Sequence, residues 1–128
     1  MALSAQFASV PATAMVALAT ANALRDGTGT LGILVTAPAA GTRVDDVCIT
    51  ASAATTAGVI RMFVSDGTLI YLHSEFLVTA VTPSTSAGVW SIQLTNLGII
   101  LKSGWSLRFG TEKAELFKVI FTRGGDLT

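Results

Sequence analysis

The chain has 128 residues, 51% of them hydrophobic and only 12% charged, with eight Lys or Arg balanced by eight Asp or Glu. That length holds one domain with a real core, and the charged share is about half the usual value, so part of the exterior is expected to be covered by copies of itself or a partner. Zero net charge without a basic stripe excludes electrostatic nucleic-acid binding, and a single cysteine, Cys48, excludes an internal disulfide, a CxxC pair and a zinc framework.

Residues 1–12 are small and uncharged and end at Pro11. They read as an N-terminal arm, with residues 13–128 as a single domain. No charge occurs from Ala2 to Leu24, but Pro11 and polar side chains interrupt the run, no basic n-region precedes it, and no apolar stretch is long enough to span a bilayer. Neither a signal peptide nor a membrane segment is expected. Residues 14–20, with β-branched Val16 and Thr20, lean to strand. Residues 25–30, Arg-Asp-Gly-Thr-Gly-Thr, form a turn; no GK[ST] follows, so they are not a phosphate loop. Residues 31–36 and 43–50 are strands. Cys48, inside the second, reads as a small buried hydrophobe.

The chain is organised around residues 59–76. Asp66-Gly67 between two alternating runs is a strong hairpin signal. A two-residue loop mixes polar and apolar side chains on both faces. A three-residue loop, Ser65-Asp66-Gly67, pairs Met62 with Ile70 and Ile60 with Leu72. It collects Ile60, Met62, Val64, Ile70 and Leu72 on one face and leaves Arg61, Tyr71 and His73 on the other, which decides for it. Phe76 to Val81 extends the second strand, and residues 82–88 are a loop. Trp90, Ile92 and Leu94 alternate inward, residues 99–101 are a short strand, and Trp105, Leu107 and Phe109 alternate with Ser106 and Arg108. Phe117, Val119 and Phe121 form the core side of the last strand, and residues 123–126 read as a polar tail. Eight or nine short strands with no convincing helix define an all-β antiparallel sandwich, jelly-roll-like in strand count.

Chemistry-bearing residues are few. His73 is the sole histidine, lies mid-strand and has no GxSxG elbow to join. His73 with Glu75 offers two metal ligands, too few for a site. Asp45, Asp46 and Asp66 lack EF-hand spacing, and Glu112 and Glu115 give no separation that would test a glycosidase pair. Trp90 and Trp105 could stack on sugars, but both fall on the apolar side of their strands. Arg61, Tyr71, His73 and Arg108 are the interface candidates, placed outward and of types common at contact hot spots. No catalytic, cofactor or metal residue is assigned, and the chain is not expected to be an enzyme.

Residues 21–30, 41–45 (Gly-Thr-Arg-Val-Asp) and 55–67 (Thr-Thr-Ala-Gly-Val-Ile-Arg-Met-Phe-Val-Ser-Asp-Gly), continuing through residues 104–108 (Gly-Trp-Ser-Leu-Arg), resemble a set of small tailed-phage and prophage proteins. The resemblance covers most of the chain beyond the arm, in turn glycines and strand edges. It implies a β-rich virion component of the head-decoration type, made in the host cytoplasm. Its partners would be itself, as a homo-oligomer such as a trimer, and the major capsid protein or another virion protein. The alternative is a carbohydrate- or receptor-binding domain of a virion fibre.

Overall fold

In the computed structural model the described residues are 8–11, as backbone, and 14–127. Ten strands follow one another: β1 (Ala8–Pro11), β2 (Met15–Leu18), β3 (Gly32–Thr36), β4 (Thr42–Ala51), β5 (Gly58–Ser65), β6 (Ile70–Val78), β7 (Ser91–Leu94), β8 (Ile99–Leu101), β9 (Ser106–Thr111) and β10 (Phe117–Leu127). The arm expected over residues 1–12 lies outside the described residues except for Ala8–Pro11, which pairs antiparallel with the end of β10.

The strands form two antiparallel sheets. One runs β1-β10-β4-β7, with β2 joining β10 and β8 joining β4; the other runs β3-β9-β5-β6. β7 and β8 flank the same edge of β4, one after the other. The pairings are nested: β2 with β10, β3 with β9, β4 with β7 and β8, β5 with β6. Such nesting arises when one long antiparallel hairpin is wrapped around a barrel-like core, and it defines the jelly roll. The innermost hairpin, β5–β6, turns close to the middle of the chain.

Alternation explains most of the core. Phe117, Val119 and Phe121 of β10 are buried, as are Val47 and Ile49 of β4, Leu107 and Phe109 of β9, and Ile60 and Met62 of β5. Trp90 is buried with its ring edge-on to Phe117, centroids 5.7 Å apart, an arrangement favoured by the ring quadrupoles.

The central hairpin departs from the expected register. Ser65 pairs with Ile70, so the loop is the four residues 66–69. Asp66 is the reason: its Oδ1 accepts the backbone N–H groups of Thr68 and Leu69 at 2.9 and 2.7 Å, drawing both into the turn. Gly67 takes φ +97° there, a conformation cheap only for glycine. The longer loop puts Ile70 and Leu72 on the same side as Ser65 and Phe63, opposite the core. A bulge at His73 then restores phase, because Phe63 pairs with Leu72 but Met62 pairs with Ser74. Phe76 and Val78 return to the core side.

β5 is buried on both faces. The connection between β2 and β3, residues 19–31, crosses the outer face of the smaller sheet. The Asn22 backbone N–H donates to the Thr111 carbonyl at 2.8 Å. A side chain on Gly27 (φ +86°) would collide with Ile70, and one on Gly110 would meet Leu31. Asn22, itself buried, holds the segment in shape. Its Nδ2 donates to the carbonyls of Thr28 and Thr30 at 2.9 and 3.0 Å, and its Oδ1 accepts from the Leu24 N–H at 3.0 Å.

The stretch expected to be a polar tail is the second half of β10. Gly124, Gly125 and Asp126 pair with Val44, Arg43 and Thr42, and Thr42 Oγ1 donates to Asp126 Oδ1 at 2.8 Å. Its polar composition hid a strand that two neighbours flank.

Candidate functional site: the open surfaces

The four interface candidates are not brought together. Arg61 lies on the face of β5 away from the core, as expected, but is buried, because residues 19–31 close over it. Its Nη2 donates to Glu112 Oε2 at 3.3 Å, its Nη1 to the Asn22 carbonyl at 3.5 Å, and its Nε lies 3.7 Å from Glu75 Oε2. Glu75 also accepts from Arg25 Nε at 2.7 Å. That hydrogen bond, and the charge behind it, holds the Glu75 carboxyl below its ordinary range. The two arginines and two glutamates thus fasten the crossing segment to the sheet. Arg108 is half-buried between Ile33 and Phe63 in register and donates from Nε to Ser106 Oγ at 2.9 Å. Tyr71 and His73 are exposed on β6, the edge of the smaller sheet.

The carboxylates are all engaged. Asp26 accepts from Thr28, Asp45 from Arg43, Asp46 from the Asn96 N–H, Asp66 from Thr68 and Leu69, Glu115 from Thr56, and Asp126 from Thr42, with Glu75 and Glu112 on the arginines. Hydrogen bonds from Thr28 hold the Asp26 carboxyl low, and those from Leu69 and Thr68 do the same for Asp66. Among the described residues no cluster of three or more His, Cys, Asp or Glu could hold a metal ion. None has a helix long and apolar enough to cross a membrane.

Of the two tryptophans, Trp90 lies in the core and Trp105 is half-buried, with Lys102 Nζ 5.6 Å from its ring centroid. A cavity of about 240 Å³ opens between the ends of β2 and β3, lined by Leu18, Thr20, Thr30, Leu31, Phe109 and neighbours, with no charged side chain on it.

The molecule also exposes large apolar side chains. Each of the four sheet edges carries a large exposed hydrophobic side chain: Met15 on β2, Ile100 on β8, Ile33 on β3, and both Tyr71 and Leu77 on β6. Leu77 is 77% exposed and Met15 71%. Leu24 on the crossing segment and Leu69 in the hairpin loop add to them. Sequence reasoning found only Tyr71 of this set, since an isolated Leu or Ile in a strand is read as core.

The outer face of the larger sheet is also open. In register across four strands run Ala17–Lys118–Thr50–Ser91 and Met15–Ile120–Cys48–Gln93. Cys48 is therefore on the outside of β4, half-buried, and not in the core as its strand position suggested. Both rows are neutral except for Lys118.

Compared with models of known protein families, the chain matches none. No curated protein is significantly similar to it.

Proposed function

We propose that the chain is a structural protein of a phage particle, a decoration or cement protein that docks on the head lattice and stabilises the shell without chemistry. One observation carries this reading: every sheet edge presents a large apolar side chain to solvent, from Met15 and Ile100 on the larger sheet to Ile33 and Leu77 on the smaller. A unit built for one small ligand concentrates such side chains in a pocket. A unit that touches several neighbours distributes them around its rim. The resemblance to small tailed-phage proteins points the same way, and jelly rolls serve repeatedly as shell components, although fold by itself does not assign function.

The mechanism is burial. At about 25 cal/mol per Å², a contact of a few hundred Å² contributes several kcal/mol before association costs, and repetition over a lattice multiplies the effect on the shell. Backbone edges contribute less, because β6, β3 and β1 each carry a bulge that interrupts continuous strand addition. The fibre-type reading with a sugar platform loses its main support, since Trp90 is in the core and Trp105 is capped by Lys102.

The test is co-sedimentation of purified protein with DNA-free heads of the phage whose genome encodes it. Saturable binding that raises the temperature at which heads rupture is expected. No association at micromolar protein contradicts the reading.

A further inference from the structure

We infer that Asp66, at the tip of the β5–β6 hairpin, is a site of covalent self-modification: in the folded protein it isomerises to isoaspartate, while Asp26 is spared. Aspartate followed by glycine carries its own reaction. The glycine amide nitrogen attacks the side-chain carbon Cγ of the protonated aspartate. A C–N bond forms, the amide proton and the carboxyl hydroxyl leave together as water, and a succinimide ring closes. Water then adds back to one of the two ring carbonyls. Opening on one side restores aspartate. Opening on the other leaves the main chain running through the side-chain carbons, an isoaspartate of unchanged mass. No oxidant, reductant or metal is needed. Glycine favours the step because no Cβ shields the attacking nitrogen.

The chain has two such pairs, Asp26-Gly27 and Asp66-Gly67, and the fold treats them differently. Ring closure needs rotation of the backbone at the aspartate, so the cost of opening the turn sets the rate. Hydrogen bonds hold both carboxyls low, so the reactive acid is scarce at both sites and opening decides between them. At the first pair, Gly27 is buried, and its Cβ position lies 2.7 Å from Ile70 Cβ. The residues on either side are anchored: Arg25 Nε donates to Glu75 Oε1 at 2.7 Å, and the Thr28 carbonyl accepts from Asn22 Nδ2 at 2.9 Å. Opening there lifts the crossing segment off the sheet. At the second pair, residues 66–69 are all exposed, and no atom lies within 4 Å of the Gly67 Cβ position. Its ties are local. Asp66 Oδ1 accepts from the Thr68 and Leu69 N–H groups, the Asp66 N–H donates to the Leu69 carbonyl at 3.1 Å, and the Gly67 N–H donates to Ser65 Oγ at 3.1 Å. They can open without disturbing either sheet.

The product changes the hairpin. Isoaspartate adds one carbon to the main chain and moves the carboxylate directly onto Cα. Thr68 and Leu69 lose the acceptor that draws them into the four-residue loop, so the tip loosens around exposed Leu69. This holds whether or not the chain belongs to a particle.

The experiment ages the folded protein in mildly acidic buffer at body temperature for several weeks, beside a urea-unfolded sample and a Gly67→Ala variant. Peptide mapping reads isoaspartate at each site, with an isoaspartyl methyltransferase as the reagent. In the folded protein, isoaspartate at residue 66 is expected in roughly tenfold or greater excess over residue 26, the ratio set by about one extra hydrogen bond or packing contact broken on opening. In urea the two sites should react at similar rates. Gly67→Ala should slow residue 66 severalfold, and the aged protein should show faster amide exchange at Thr68 and Leu69. Equal yields at the two sites of the folded protein, an excess at residue 26, or no isoaspartate at either overturns the inference. So does the same excess in urea, which would remove the fold as its cause, or a Gly67→Ala variant that reacts as fast as the parent.

Discussion

The Arg25 guanidinium sits on the Glu75 carboxylate through two donors, Nε at 2.7 Å and Nη2 at 3.4 Å, and joins a loop to a strand 50 residues further along the chain. Behind Glu75 stands buried Arg61, which also reaches Glu112. This pair decides which face of the smaller sheet is closed, and so which surfaces remain for contacts.

The closure is pH-sensitive in one direction. Glu75 is held below its ordinary value of 4.5 by Arg25, and Asp26 and Asp66 below 3.8 by their turn hydrogen bonds. A depressed folded-state value means the unfolded chain binds more protons in acid. Stability is therefore fully present above about pH 4.5 and falls as pH drops through the folded-state values. Urea unfolding from pH 6 to pH 3 should show this decline, and Glu75→Gln should flatten part of it.

Asn22 is the internal brace of the crossing segment. Asn22→Ala removes three part-buried hydrogen bonds to the backbone of Leu24, Thr28 and Thr30, each worth about 0.5–1.5 kcal/mol net. A loss of about 2–4 kcal/mol in urea denaturation is expected, with faster amide exchange over residues 22–30. Leu24→Ala, at an exposed neighbour, should leave stability nearly unchanged.

Two glycines with positive φ should respond differently to alanine. Gly67 (φ +97°) has open space around its Cβ position, so Gly67→Ala should cost about 1 kcal/mol, the left-handed strain alone. Gly124 (φ +134°) has the Arg43 carbonyl oxygen and the Phe121 ring where a Cβ would sit. Gly124→Ala should cost 3 kcal/mol or more, roughly the sum of overpacking and strain, or prevent folding. Thermal unfolding of the two variants side by side checks this.

His73 is the extra residue of the β6 bulge, since Phe63 pairs with Leu72 and Met62 with Ser74. His73→Ala should be nearly silent. Deleting residue 73 makes Leu72 and Ser74 consecutive opposite Phe63 and Met62, so that Ile70 and Leu72 stay on the outer side and Phe76 and Val78 on the core side. The deletion should therefore still fold, read from expression and circular dichroism; loss of folding contradicts this register.

Much of this fold was legible because most strands have one wet face. Ile92 and Leu94, Leu107 and Phe109, and Phe117, Val119 and Phe121 alternate cleanly with polar neighbours and are placed as expected. β5 was not legible in the same way. Arg61 and Phe63 belong to a face buried by residues 19–31, and nothing in the composition of a Gly-Thr turn says that it will lie across a sheet. The hairpin register failed because Thr68 and Leu69 look like strand residues, while the Asp66 carboxylate takes their N–H groups. The Gly124-Gly125 pair reads as a tail until β4 is found beside it. The open face was invisible for the opposite reason: Ala17, Thr50, Cys48 and Gln93 carry no feature that marks a surface until register aligns them.

The central claim is that this chain is a repeated part of a particle. Quantitative mass spectrometry of purified phage particles, measured against the shell protein, tests it most directly. The account predicts this chain at a fixed stoichiometric ratio to the shell protein, retained through density-gradient purification. Particles that carry none of it, or only traces that wash away, would contradict the account.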